Sequence, residues 1–152
     1  MPIYYNAKNT GRPIDPANKY TSKYLDEANT PLYPFGHGLS YTTFVYRNLR
    51  LERNAFPATE GLRFSVELQN TGSRPGTEVV QVYLQDMTSS VTRPVKELRS
   101  YQQVTLGPGE SRTLEFTLQP ANLAAYDLNM RWRVEPGLFT LTVMKADFNV
   151  TP

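Results

Sequence analysis

A chain of 152 residues is long enough for one domain with its own core and short for two, and its 16 basic and 14 acidic residues leave a formal charge of only +2. These charges are interspersed rather than gathered into blocks, so the sequence carries neither a nucleic-acid footprint nor a basic membrane-binding face, and no apolar stretch approaches the ~20 residues of a membrane span. Cysteine is absent, which excludes a disulfide framework and thiolate metal sites and leaves the compartment unreadable from redox chemistry.

From residue 1 to 39 the chain has neither a two-residue nor a 3.6-residue apolar rhythm, and Pro13, Pro16, Pro31 and Pro34 break any helix or central strand. This reads as a linker or arm. Seven of the ten tyrosines fall within the first 46 residues, a composition foreign to a disordered linker. An arm of this kind is expected to lie along the body of the protein or against a neighbouring domain. Met1-Pro2-Ile3 does not begin a signal peptide, so any export signal is expected outside this sequence.

From residue 40 to 152 short alternating runs separated by turn signals predict an all-β sandwich of about seven strands, of fibronectin or immunoglobulin type. Phe44 and Tyr46 share one parity and Leu49 and Leu51 the other, which predicts a β-bulge between Tyr46 and Leu49. Leu62, Phe64, Val66 and Leu68 form the clearest inward set; Leu114, Phe116 and Leu118, then Met130, Trp132 and Val134, then Phe139, Leu141 and Val143 repeat it. Turns are expected at Asn70-Thr71-Gly72 with Pro75-Gly76, at Gly107-Pro108-Gly109 and at Glu135-Pro136-Gly137. Residues 120 to 126 read as one helical turn crossing between sheets, with Tyr126 either anchoring a tyrosine corner through its hydroxyl or simply buried.

The only histidine, His37, lies between Gly36 and Gly38. A general base or metal ligand is one reading of it. The structural reading is stronger, because no second histidine or cysteine is available to share a metal and the glycines permit left-handed turns on either side. A strand rather than a helix follows, so Gly36-His37-Gly38 is not a phosphate loop. In Arg93-Pro94-Val95-Lys96-Glu97-Leu98, Arg93 and Lys96 are candidates for contact with a partner domain or, as a distant third reading, an acidic glycan. Proline and charge at a sheet edge equally serve to discourage edge-to-edge pairing.

The run from Pro34 to Phe44, Pro-Phe-Gly-His-Gly-Leu-Ser-Tyr-Thr-Thr-Phe, resembles the segment leading into the C-terminal fibronectin type III-like domain of family 3 glycoside hydrolases, the family of bacterial periplasmic β-glucosidases. Ile3-Tyr4-Tyr5-Asn6 and Asn9-Thr10-Gly11-Arg12-Pro13 are similar to the linker before that domain. Asn70-Thr71-Gly72, the run from Glu78 to Leu84, the run from Arg93 to Leu98 and the run from Leu106 to Glu110 follow it in order. The resemblance implies catalytic domains upstream of Met1, a retaining hydrolysis of terminal β-linked glucose by the parent polypeptide, and a periplasmic or extracellular location. β-Xylosides and α-arabinosides are substrates of related enzymes with this architecture.

A retaining glycosidase needs two carboxyl groups about 5 Å apart. Asp26, Glu27, Asp86, Glu97 and Asp127 are the candidates to weigh here, and none stands in a run that implies a shaped pocket. The family's nucleophilic aspartate, in a Ser-Asp-Trp context, and its sugar-holding Lys-His pair do not occur in this sequence. No catalytic residue, cofactor or metal is therefore expected in the chain, and its role is expected to be structural, with Tyr4, Tyr5, Tyr33, Phe35, His37, Arg93 and Lys96 as interdomain contacts. A carbohydrate- or cell-wall-binding module, with Tyr83 and Tyr101 as glycan contacts, and an oligomerisation element forming a homodimer are the alternatives.

Overall fold

The computed structural model describes residues 4–8, 11, 12, 15, 17–24, 26–143 and 146–151, without the side chains of 146–149. Part of the linker resemblance, at Ile3, Asn9, Thr10 and Pro13, lies outside these residues, as does Pro16. Strands run over Phe44–Leu51 (β1), Ala55–Pro57 (β2), Leu62–Asn70 (β3), Gly76–Asp86 (β4), Glu97–Leu106 (β5) and Ser111–Leu118 (β6). One helical turn, Pro120–Leu123 (α1), precedes Ala125–Tyr126 (β7), Trp132–Arg133 (β8), Gly137–Thr142 (β9) and Ala146–Thr151 (β10). The seven longer strands divide between two sheets, β1-β3-β6 and β4, β5, β9 and β10 in the order β2-β10-β9-β4-β5, while β7 and β8 form a small hairpin of their own. The chain is all-β, a fibronectin type III-like sandwich.

Alternation builds the core. Leu62, Phe64 and Val66 face Leu118, Phe116 and Leu114 across the β3-β6 ladder, and these six and Leu68 are buried together with Val80, Val82, Leu84, Val104, Leu106, Phe139 and Leu141 of the second sheet. Each such side chain withdrawn from water contributes roughly 1.5 to 3 kcal/mol, which is how the fold dispenses with disulfides. Val143 is only half-buried but packs on the same cluster.

The bulge predicted in β1 is present: the register with β3 shifts between Arg47 and Arg50, and Asn48 takes the left-handed conformation at φ 53°. Its amide donates to Glu67 Oε2 at 2.6 Å, a local bond that offsets part of the strain. A second shift, between Val82 and Tyr83 of β4, leaves Arg99 of β5 without a cross-strand partner.

Asn70 closes β3 as a buried hub. Its Nδ2 donates to Arg74 O (2.7 Å) and Leu106 O (3.1 Å), while its Oδ1 accepts from Thr42 Oγ1 (2.6 Å) and Gly72 N (3.0 Å). The amide thereby uses both donors and two acceptor positions and ties the start of β1, the β3-β4 turn and the end of β5 together at one end of the sandwich.

Two expectations for the last third of the chain are corrected. The helical turn ends at Leu123 instead of reaching Tyr126, because Ala124 is already extended. Met130 and Trp132 are exposed, 75% and 54%, and only Val134 of their set packs on the core. Asp127 is the cause: its Oδ1 accepts the N–H groups of Asn129 (2.8 Å) and Arg131 (2.9 Å), and its Oδ2 pairs with Arg133 Nε (2.9 Å). These bonds fold residues 126–132 into a hairpin that stands off the sandwich. Tyr126 is half exposed and sets its ring T-shaped against Trp132 at 5.0 Å, so it is neither a buried tyrosine nor a corner anchor.

Candidate functional site

The arm lies on the outer face of the five-stranded sheet. Tyr83 points outward from β4, yet it is 7% exposed, because the arm and Lys96 close over it. The edge of its ring meets Tyr5 at 5.5 Å, Tyr5 stacks on Phe35 at 4.7 Å, and Lys96 Nζ stands 4.2 Å above the Tyr83 ring. The Tyr83 hydroxyl donates to Gln81 Oε1. Burial first, then the neighbouring Tyr5, pushes the Tyr83 hydroxyl above its ordinary value. Gly36 packs on the same glutamine: it is left-handed at φ 82°, and a Cβ there would meet Gln81 Oε1 at 2.8 Å. Only one of the two predicted left-handed glycines is found, since Gly38 does not have a positive φ. His37 is exposed, with its ring tilted against Tyr33 at 5.0 Å.

The entering end of the arm pairs with the loop before β5. Lys8 forms an isolated bridge with Pro94, and Val95 N donates to Ala7 O at 2.9 Å. The arm thus covers part of the edge segment whose proline and charges read as edge protection. Arg93 is no free contact cation. Its guanidinium is 6% exposed and bonds Asp86 Oδ2 (2.9 Å), Glu97 Oε2 (2.8 Å) and Leu123 O (3.3 Å), pinning the loop, β4, β5 and α1 to one another. Of the two cations singled out in sequence, Lys96 serves the arm face and Arg93 serves the interior.

Three of the five candidate carboxylates are held in ion pairs. Asp86 and Glu97 sit on the two ends of the same guanidinium, Glu97 also pairs with Arg99, and Asp127 holds its own hairpin. Asp26 and Glu27 are exposed on the arm. Asp86 and Glu97 are thereby held by the Arg93 guanidinium between them. Among the described residues no three His, Cys, Asp or Glu side chains come together as a metal site. The glycan reading loses Tyr83 to the arm and retains Tyr101, 67% exposed, as a single ring.

Large apolar side chains also remain exposed. On the arm Tyr4, Tyr33, Phe35, Leu39 and Tyr41 are 57 to 96% exposed. Tyr126, Leu128, Met130 and Trp132 of the β7-β8 hairpin are 54 to 75% exposed; from the sequence Tyr126 was read as a corner or buried tyrosine and Met130 and Trp132 as inward, because their alternation matched that of the inward strands. The Asp127-x-Asn129 spacing, typical of a side-chain-closed turn, is the signal that distinguishes them.

A fibronectin type III-like domain model matches residues 78–146, from within β4 to the start of β10. A periplasmic β-glucosidase of Salmonella typhimurium is 46% identical over 145 residues, which are 94% of this chain and 19% of that protein. A β-xylosidase of Formosa agariphila is 42% identical over 128 residues, 82% of this chain and 18% of that protein. Among solved structures, a Listeria innocua β-glucosidase in complex with glucose superposes with a TM-score of 0.91 at 38% identity, covering 100% of this chain and 22% of the other. The chain thus spans about a fifth of the relatives it matches, and the superposition on the Listeria innocua enzyme takes in the arm. It belongs to the fibronectin type III-like domains carried by the β-glucosidases and β-xylosidases of glycoside hydrolase family 3.

Proposed function

We propose that this chain is the accessory, interdomain-packing domain of a β-glycosidase: it holds and steadies the domains that hydrolyse terminal β-linked sugars and supplies no catalytic residue itself. The observation that carries the reading is the arm. Tyr5 is spent on the outer sheet face with one side of Phe35 stacked on it, while Tyr4, Tyr33, Leu39 and Tyr41 are exposed. An ordered apolar strip facing water is the form expected of a surface that another domain covers. Relatives named for β-glucosidase and β-xylosidase activity support a glycoside as the parent's substrate, and the periplasmic name of the Salmonella relative supports an exported location.

Hydrolysis of p-nitrophenyl β-glucoside and β-xyloside by the full polypeptide, by the same polypeptide cut before residue 4, and by this chain alone tests the proposal. Activity is expected only where the upstream domains are present, with a lower melting temperature after the cut. Turnover by the isolated chain, or a cut that changes neither activity nor melting temperature, would remove the proposal.

A further inference from the structure

The β7-β8 hairpin is a rigid support for four large apolar side chains that nothing in the sandwich covers. Tyr126, Leu128, Met130 and Trp132 occupy alternate positions, and Leu128 and Met130 at the tip are 73% and 75% exposed. Ordinary loops do not hold such a tip in one shape. Here Asp127 takes two backbone N–H groups and Arg133, and Met130 is kept in the left-handed region at φ 59°, which is uncommon for a residue with a side chain. Preorganisation of this kind reduces the ordering cost of association.

We propose, resting on the function given above, that this hairpin is a docking knob whose occupant is the upstream catalytic portion of the same polypeptide. Leu128, Met130 and Trp132 enter an apolar recess there. Position supports this occupant. Glu135, just after the hairpin, accepts hydrogen bonds from Ser90 N (2.8 Å) and Oγ (2.7 Å), and Gly11 of the arm lines a hollow of about 300 Å³ with Met87 and Ser89 of that same loop. The arm and the hairpin therefore converge on one end of the sandwich, and the arm delivers whatever precedes it to the hairpin's side. In the relatives about four-fifths of the polypeptide lies outside the matched segment, ample to supply a covering surface. The chemistry disfavours a sugar as occupant. The Tyr126 and Trp132 rings stand at 65° to each other instead of forming a flat platform, and the tip is aliphatic.

Hydroxyl-radical footprinting with mass spectrometry, on the full polypeptide and on this chain alone, reads the proposal at Met130 and Trp132. Both are expected to oxidise about tenfold more slowly in the full polypeptide, since oxidation follows exposure. Equal rates would overturn the docking. The variant carrying Leu128→Glu and Met130→Glu is expected to leave the melting temperature of the isolated chain within about 1 °C, because both positions are exposed, and to lower that of the full polypeptide; an unchanged full polypeptide would overturn it. If the pair unfolds the isolated chain, the footprint decides. A cut before residue 4 that destabilises the enzyme, with the hairpin still freely oxidised, would leave the accessory-domain reading standing and remove this one. A costless cut with a freely oxidised hairpin would remove both. Protection in the isolated chain that vanishes on dilution would assign the knob to a second copy, and retardation in laminarin gels abolished by Trp132→Ala would assign it to a glycan; either result overturns the proposal.

Discussion

Asn70 shows how much one side chain can organise. Replacing it by Asp keeps the shape but removes both donors and points a charge at the carbonyls of Arg74 and Leu106. Asn70→Asp is therefore expected to destabilise more than Asn70→Ala, which leaves unsatisfied groups costing about 1 to 3 kcal/mol, and urea unfolding at pH 7 ranks the two. Asp127 acts through charge. The Arg131 N–H above all, then that of Asn129 and the charge of Arg133, hold its carboxyl below the ordinary 3.8 against the opposing pull of burial. Because the folded value is the lower one, the stability it contributes is present above the ordinary value and is lost as pH falls through the depressed one. Glu135, held low chiefly by Ser90, adds to the same acid loss below its ordinary 4.5. Asp127→Asn is expected to have a lower urea midpoint than the unsubstituted protein at pH 7, with the two midpoints converging as pH falls below the ordinary 3.8.

Among the elements, β1 was the most legible. Its parity switch from Phe44 and Tyr46 to Leu49 and Leu51 has one economical solution, and Asn48, a residue tolerant of the left-handed region, stands at the bulge. Asn48→Val should cost about 1 to 2 kcal/mol in chemical denaturation while Asn48→Gly costs much less, because only the β-branched residue resists the positive φ. The bulge in β5 left no such trace, since Gln102, Gln103 and Ser100 around it carry no apolar parity to break. Alternation reports that two sides of a strand differ, but not what lies opposite each side. For that reason β3 and β6 were read correctly, Tyr83 was taken for a solvent-facing ring, and Met130 and Trp132 were taken for core. The covering arm in one case and the Asp127 turn in the other are contacts between distant or irregular segments that periodicity does not encode.

At the scale of the whole molecule the arm is an external layer fixed by few rings. Tyr5→Ala with Phe35→Ala is expected to leave the core intact and to open the arm, read as faster tryptic cleavage after Lys8 and Lys19 with an unchanged unfolding midpoint for the sandwich. Tyr5, Phe35 and Lys96, named from sequence as contacts with another domain, gather around Tyr83 of this same chain, with Phe35 stacked on Tyr5, whereas Arg93 was drawn inward by Asp86 and Glu97, a choice that depends on where β4 and β5 bring their ends. The arm meets the sandwich at Pro94 and leaves at Thr42 beside Asn70, at the opposite end of the sheets. Force applied from the N-terminal side would thus peel Tyr5, Lys8 and Phe35 away one after another before any strand is loaded, releasing on the order of 100 Å of chain. In a pulling experiment the arm would act as a mechanical fuse, yielding first at low force and leaving the sandwich folded.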